Sequence, residues 1–117
     1  MVLHEVAANS IASTVSGFAF LEGVGTATTA KLDHATGLEV RCMGEVAQAT
    51  CKGAIKLDDA NDIVNSLLQK YERKFENPPL SKTFQECYDT RKLEPSPEWA
   101  NIYHTVCKEL SNMGVNF

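Results

Sequence analysis

Residues 6–21 contain no charged side chain, and this segment constrains the fold more than any other feature of the chain. Most of its side chains are small: Ala7, Ala8, Ser10, Ala12, Ser13, Ser16, Gly17 and Ala19. Small side chains on several faces of a helix let neighbouring helices approach closely on more than one side. The larger apolar residues form only a rough stripe: Leu3, Val6, Ile11, Val15 and Phe18. We therefore expect a helix over residues 2–20 that is buried on more than one side and ends near Gly23 or Gly25.

The same segment is too short and too polar to cross a bilayer, which takes about 20 predominantly apolar residues. Glu5 and Glu22 bracket it, and residues 1–22 contain no Lys or Arg to form the basic flank of a signal peptide. The net charge of -4 and the pI near 5.3 disfavour nucleic-acid binding, which needs a phosphate-neutralising surface. We expect a cytoplasmic protein that contacts neither membrane nor nucleic acid.

Four further helices are predicted from apolar residues that recur at steps of three and four. They cover residues 38–51, 58–76, 83–89 and 97–113. The stripe of the third helix is the most regular: Ala60, Ile63, Val64, Leu67, Leu68, Tyr71 and Phe75. The last helix is expected to present one apolar face: Trp99, Ile102, Tyr103, Val106, Leu110 and Met113. Residues 25–30, GTATTA, could form a strand, a loop or a helical turn.

Polar residues at the starts of these helices, and glycine or proline at their ends, support the assignments. The expected N-caps are Asp33 or Thr36, Asp58 or Asp59, Thr83 and Ser96. Thr83 and Glu86 fit a capping box, and Pro97 suits the first helical position. Gly53 and Gly114 are expected to end their helices, and Asn77-Pro78-Pro79 cannot continue one. With 117 residues, the chain is predicted to be one mainly α domain of four to five helices without a confident strand.

The cysteines and histidines do not follow the spacing of a metal site. Cys42, Cys51, Cys87 and Cys107 are far apart, and His4, His34 and His104 are scattered. We expect separate thiols that are mostly packed, with a disulfide framework or a metal site as alternatives. His104 and Cys107 share a helix face, which is typical of a surface histidine beside a packed cysteine.

No phosphate-binding loop, HExxH motif or nucleophile elbow is present, so residue chemistry alone indicates a helical domain without a catalytic set. Glu39, Arg41 and Glu45 fit a solvated face or a set of ion pairs. The aromatic side chains are expected to build a C-terminal core. His4, Glu5 and Glu22 are candidates for a cleft or an interface, because ionisable groups that punctuate an uncharged buried helix need a partner or a purpose.

Two segments carry a resemblance to a known family. They are residues 35–50, ATGLEVRCMGEVAQAT, and residues 82–89, KTFQECYD. Together with the ending LSNMGVNF, they closely resemble the C-terminal part of archaeal-type monomethylamine methyltransferases. The resemblance covers nearly the whole chain, and it implies that the five helices are the C-terminal helical part of a (β/α)8 barrel.

The resemblance also implies a function. Enzymes of this family form oligomers and, in methanogenesis, transfer the methyl group of methylamine to the cobalt of a cognate corrinoid protein. The corrinoid is carried by that partner, so no cofactor is expected to bind this chain directly. The distinctive catalytic residue of the family is pyrrolysine, whose imine carbon captures the amine and holds it in position for transfer.

The sequence departs from the family in length. The pyrrolysine position lies upstream of Met1, so no catalytic residue is carried over, and we expect this chain alone to be inactive. Val6, Ile11, Val15 and Phe18 would lack the barrel wall, which predicts marginal stability or self-association. The alternatives are a stand-alone helical binding module without catalysis, and the dimethylamine or trimethylamine counterpart.

Overall fold

The computed structural model describes residues 1–24, 33–74, 76–79 and 82–117. The helices are α1 (Val2–Val15), α2 (Gly37–Lys52), α3 (Leu57–Leu68), α4 (Phe84–Cys87) and α5 (Pro97–Asn112). The mainly α class with five helices is confirmed. The expectations for residues 25–30 and for Phe75 lie outside the described residues. None of the described helices is long and apolar enough to cross a membrane.

The first helix, α1, lies at the centre of the core. Its buried residues point in several directions: Leu3, Val6, Ala7, Ala8, Ser10 and Ile11. α1 packs chiefly against α2 and α3, and it also touches α5. The prediction that this helix is buried on more than one side is confirmed. Val6 and Ile11 are covered by helices of this chain, so the expectation that they lack a packing partner is wrong.

α1 is shorter than the predicted helix over residues 2–20. It ends at Val15, because Gly17 adopts a φ of 79° and the N–H groups of Gly17 and Phe18 turn back to the carbonyls of Thr14 and Ser13. This pair of bonds is a Schellman ending. Phe18 is therefore 67% exposed and does not belong to the apolar stripe. Gly23 lies beyond the helix and does not end it.

The start of α2 is held by a buried capping box. The Thr36 hydroxyl accepts a hydrogen bond from the Leu38 N–H, and the Glu39 carboxylate accepts one from the Thr36 N–H at 2.8 Å. Thr36 also donates its hydroxyl to Glu39. The Trp99 indole N–H donates to the Thr36 Oγ1 at 2.9 Å, which ties α2 to α5. Glu39 is only 1% exposed, so its predicted place on a solvated face is wrong, whereas Arg41 and Glu45 form the expected ion pair.

The rest of α2 follows the prediction closely. Leu38, Cys42, Val46, Ala49 and Thr50 are buried, and Met43 packs against the core. Gly53 is the C-cap in right-handed geometry, and Ala54 takes the left-handed position after it with a φ of 46°.

α3 is also shorter than predicted, covering Leu57–Leu68 where residues 58–76 were expected. After Leu68 the N–H groups of Lys70 and Tyr71 bond to carbonyls three residues back, and a 3-10 turn follows at Glu72–Lys74. These tighter bonds end the α-helix although the apolar stripe continues to Tyr71. Lys56 is the N-cap and makes no side-chain bond. Asp58 and Asp59 lie in the first turn, so the prediction that one of them caps the helix is wrong.

The C-terminal part combines a short helix, a small hairpin and α5. Thr83 and Glu86 form the predicted capping box of α4. The predicted helix over residues 83–89 ends earlier, because β1 (Tyr88–Asp89) pairs antiparallel with β2 (Glu94–Pro95). These two-residue strands were not predicted.

α5 begins as predicted, with Ser96 as its N-cap and Pro97 in its first turn. It buries Tyr103, Val106 and Leu110, whereas Ile102 is 43% exposed and does not belong to the buried face. Gly114 has a φ of 99°, and Val115 folds back onto the core with its N–H bonded to the Leu110 carbonyl. All four cysteines are free, and Cys42 and Cys87 are buried.

The buried capping box of α2 should contribute more stability than the exposed one of α4. Thr36→Ala removes the hydroxyl that accepts from the Leu38 N–H and the Trp99 indole N–H and that donates to the buried Glu39, while the backbone N–H of residue 36 still bonds Glu39. We expect it to lower the free energy of unfolding by about 2–3 kcal/mol. The matched variant Thr83→Ala, at the exposed box, should cost about 0.5–1 kcal/mol. Urea denaturation of both variants measures the difference, and equal losses would contradict a structural role for the buried box.

Candidate functional site

The first candidate, His4, lies at the start of α1 and joins it to two distant segments. Its Nε2 is 2.8 Å from the Glu109 Oε2 on α5. The Lys70 Nζ, just after α3, donates to the same oxygen at 2.8 Å. The His4 side chain is 15% exposed, and the other two are each 37% exposed. We call this group the His4 cluster; it ties the ends of three helices together.

Burial determines the protonation of the His4 cluster. It lowers the pKa of His4, and the hydrogen bond to Glu109 offsets this only in part. The hydrogen bonds from Lys70 and His4 lower the pKa of Glu109. The lowered pKa values favour the neutral form of His4 and the ionised form of Glu109. This arrangement orients side chains and links helices.

The second candidate, Glu5, lines a cavity between α1 and α3. The cavity has a volume of about 280 Å³, and its polar lining residues are Glu5, Asn9, Ser10 and Tyr71. Burial raises the pKa of Glu5, and burial together with the nearby Glu5 raises the pKa of Tyr71. Ser10 is 2% exposed, and its hydroxyl has no hydrogen-bond partner among the described residues. We call this space the Glu5 cavity.

The third candidate, Glu22, lines an adjoining cavity of about 380 Å³. Asn9, Ser10, Gly23 and Met43 line both cavities. Phe18 and Phe20 also line the second cavity, which we call the Phe20 cavity. The structure therefore brings Glu5 and Glu22 to adjoining cavities, whereas His4 belongs to a separate cluster and lines neither.

A second polar cluster connects α2 with α5. The Glu45 carboxylate accepts a hydrogen bond from the Tyr103 hydroxyl and one from the Arg41 Nε at 2.6 Å. The Arg41 guanidinium carbon lies 5.7 Å from the centre of the Tyr103 ring. Burial acts to raise the pKa of Glu45, but these hydrogen bonds and the Arg41 charge lower it overall. The cluster holds two helices in register.

The thiols of Cys42, Cys87 and Cys107 are not activated. Burial raises the pKa of Cys42 to about 12, and it also raises those of Cys87 and Cys107. Thiols with raised pKa values are poor nucleophiles and poor metal ligands. Within the described parts of the chain, no three His, Cys, Asp or Glu side chains converge as a metal site would require.

Comparison with known proteins identifies the family. The sequence profile of the monomethylamine methyltransferase family MtmB matches residues 1–115. The chain is 40% identical over all 117 residues to monomethylamine methyltransferase MtmB1 of Methanosarcina acetivorans, and 39% identical to MtmB of Methanosarcina mazei. The chain belongs to the MtmB family. It spans 25% of the length of these relatives.

The solved MtmB structures support the same assignment. The crystal structure of Methanosarcina barkeri MtmB matches with a TM-score of 0.91 and 39% identity, covering all of this chain and 25% of that one. The hydroxylamine complex of MtmB matches over the same shares with a TM-score of 0.92. The fold described above is therefore that of one quarter of an MtmB chain, and the resemblance found in the sequence is confirmed.

Several residues of these clusters were not predicted as a group. Glu109 meets His4 across 105 positions and Lys70 across 39, and Trp99 meets Thr36 across 63. No local spacing in the sequence brings such groups together. The only signal in the sequence was the position of ionisable residues at the borders of the uncharged segment. This signal identified His4 but not the residues that contact it.

Protonation of His4 should destabilise the fold in mild acid. Its pKa in the folded protein lies below the value of 6.5 that it has when unfolded, so the unfolded state binds more protons. The free energy of unfolding should therefore fall as the pH drops from about 7 to about 5. His4→Gln should flatten this part of the pH profile. His104→Gln, at an exposed position, should leave it unchanged, and a profile equally steep in both variants would contradict the assignment.

Proposed function

We propose that the chain acts as the C-terminal quarter of an enzyme that transfers the methyl group of monomethylamine to the cobalt of a cognate corrinoid protein. One observation carries the proposal: the MtmB profile matches residues 1–115. The solved MtmB chain also superimposes on the whole of this chain. This transfer is a step of methanogenesis from methylamines. The relatives named above are monomethylamine enzymes, which favours that substrate over dimethylamine and trimethylamine.

In this proposal the described residues support the reaction without performing it. The His4 cluster and the polar cluster of Arg41, Glu45 and Tyr103 join helices, and the buried thiols have raised pKa values. In this proposal the electrophilic residue, pyrrolysine, lies in the part of the enzyme beyond this chain, which matches 25% of the solved MtmB chain. That part is expected to complete a (β/α)8 barrel.

The partners in this proposal are the corrinoid protein, methylamine and further copies of the enzyme. The corrinoid is carried by its own protein, and this chain supplies no ligand to the cobalt. Four free cysteines suit a reducing compartment, which supports a cytoplasmic location. The exposed side chains of Phe18 and Phe20 support the proposal that this chain packs against another polypeptide surface.

The proposal is tested by a chimera in which this chain replaces the C-terminal quarter of Methanosarcina acetivorans MtmB1. We expect the chimera to methylate the reduced corrinoid protein with monomethylamine at a rate within about tenfold of MtmB1, a barrier change of about 1.4 kcal/mol. The isolated chain and the MtmB1 remainder should each be inactive. The absorbance change of the Co(I) corrinoid on methylation gives the rate.

Two outcomes would contradict this account. Full activity of the MtmB1 remainder by itself would show that the C-terminal quarter is dispensable. A folded chimera that does not use monomethylamine would show that this chain cannot serve as the C-terminal quarter of such an enzyme.

A further inference from the structure

The hairpin of β1 and β2 presents three consecutive exposed side chains at its turn: Arg91, Lys92 and Leu93. The Asp89 carboxylate accepts hydrogen bonds from the backbone N–H groups of Arg91 and Lys92, at 2.9 and 3.2 Å. The Asp89 carbonyl accepts one from the Leu93 N–H at 2.7 Å. These bonds hold the turn in one shape although it projects into solvent. We call Arg91, Lys92 and Leu93 the hairpin tip.

Leu93 has no role among the described residues that explains its aliphatic side chain. It is 70% exposed, and it belongs neither to the core nor to the apolar side chains packed against the core. Its φ of 57° lies in the left-handed region, which glycine adopts more readily than a bulky residue does. Water and backbone geometry therefore both disfavour leucine here, and a strained exposed residue of this kind indicates contact with a surface outside the chain.

The hairpin tip is basic. Arg91 and Lys92 take part in none of the ion pairs between described residues. The two acidic residues of the hairpin, Asp89 and Glu94, are paired in register at its base, and the Asp89 carboxylate already accepts backbone N–H groups. A complementary surface would therefore combine carboxylates for the two cations with an apolar pocket for Leu93.

A groove between the end of α1 and the start of α3 has these properties. Its volume is about 160 Å³, and its aliphatic lining residues are Ala12, Val15, Leu57, Ala60 and Val64. An apolar cavity of about 150 Å³ holds a molecule of the size of benzene, so this groove has room for a leucine side chain. The hairpin, residues 88–95, contributes none of the described lining residues, so it does not fill the groove of its own chain. We call this space the α1–α3 groove.

The border of the α1–α3 groove is acidic. Asp58 and Asp62 lie one helical turn apart on α3, beside the row of Leu57 and Asn61 that lines the groove. Both carboxylates are exposed, and neither takes part in an ion pair between described residues. Residues 56–62 contain three aspartates and one lysine, Lys56, so the carboxylates outnumber the single ammonium.

We propose that the hairpin tip of one copy of this chain docks into the α1–α3 groove of a second copy, with Leu93 in the groove and Arg91 and Lys92 beside Asp58 and Asp62. Tip and groove are different surfaces, so the contact either forms twice between two copies around a twofold axis or joins several copies in a ring. The inference concerns assembly and not methyl transfer, so its failure is distinguishable from a failure of the proposed function.

Charge exchange tests the contact, with sedimentation velocity of the 117-residue chain over a series of concentrations as the measurement. The tip variant carries Arg91→Glu and Lys92→Glu, and the groove variant carries Asp58→Lys and Asp62→Lys. Each should raise the dissociation constant of self-association at least about tenfold, a change of about 1.4 kcal/mol. A mixture of the two variants should associate again, because every tip then meets a groove of opposite charge.

The matched control for the tip variant carries Arg73→Glu and Lys108→Glu. Both residues are exposed, neither belongs to the tip or lines the groove, and the net charge changes by the same amount. The control should associate as tightly as the unchanged chain. Equal weakening in the control and in the tip variant would assign the effect to net charge and overturn the proposal.

Leu93→Gly provides a second measurement that leaves the charges unchanged. Glycine suits the φ of 57°, so the Tm of the monomer should not fall, whereas the dissociation constant of self-association should rise at least about tenfold. Ala54→Gly is the matched control, because Ala54 also has a left-handed φ, 46°, and does not line the groove. It should leave self-association unchanged.

Each remaining outcome overturns the proposal. A chain that stays monomeric at every concentration has no such contact. Association that survives both charge reversals belongs to another surface, such as the one around Phe18 and Phe20. Loss of association in both variants without recovery in their mixture would show that tip and groove do not meet. In the MtmB1 chimera the tip variant should lower the oligomeric state, and an unchanged oligomer would show that other parts of the MtmB fold occupy these surfaces.

Discussion

The close approach of α2 and α3 to α1 is the contact on which the rest of the structure depends. Ala7, Ala8 and Ser10 leave little side-chain volume between the helices, and all three are nearly inaccessible to solvent. Helices packed side by side exchange water for dispersion contact along the faces that they share. The polar clusters then fix the remaining helices: the His4 cluster ties α5 to the start of α1, and Trp99 ties it to the start of α2.

Helix starts were largely predictable from the sequence, because a cap is a local interaction. Thr83 and Ser96 act as predicted, with partners three residues away. Helix ends were less predictable, since apolar periodicity continues past Val15 and past Leu68 although the backbone turns there. Gly17 was the signal in the sequence for the end of α1, and no comparable residue marks the end of α3.

The candidate site was predicted only in part, for a physical reason. His4, Glu5 and Glu22 were singled out because ionisable groups interrupt an apolar helix, and the structure places the last two on adjoining cavities. Their partners could not be foreseen, because Glu109 comes to His4 through tertiary packing across 105 positions. The segment resemblance succeeded where local chemistry could not, since it identified the family from segments that contain no recognisable catalytic motif.

Native-state hydrogen exchange on the 117-residue chain tests most directly whether α1 is the centre of the fold. Amides of a helix enclosed on two sides open only when the whole domain unfolds, so those around Ala8 and Ile11 should exchange with the full free energy of unfolding. Amides at the exposed hairpin around Leu93 should exchange far faster. If the α1 amides exchange as fast as those of the hairpin, the helix is not held by α2 and α3 in solution, and this account of the structure is wrong.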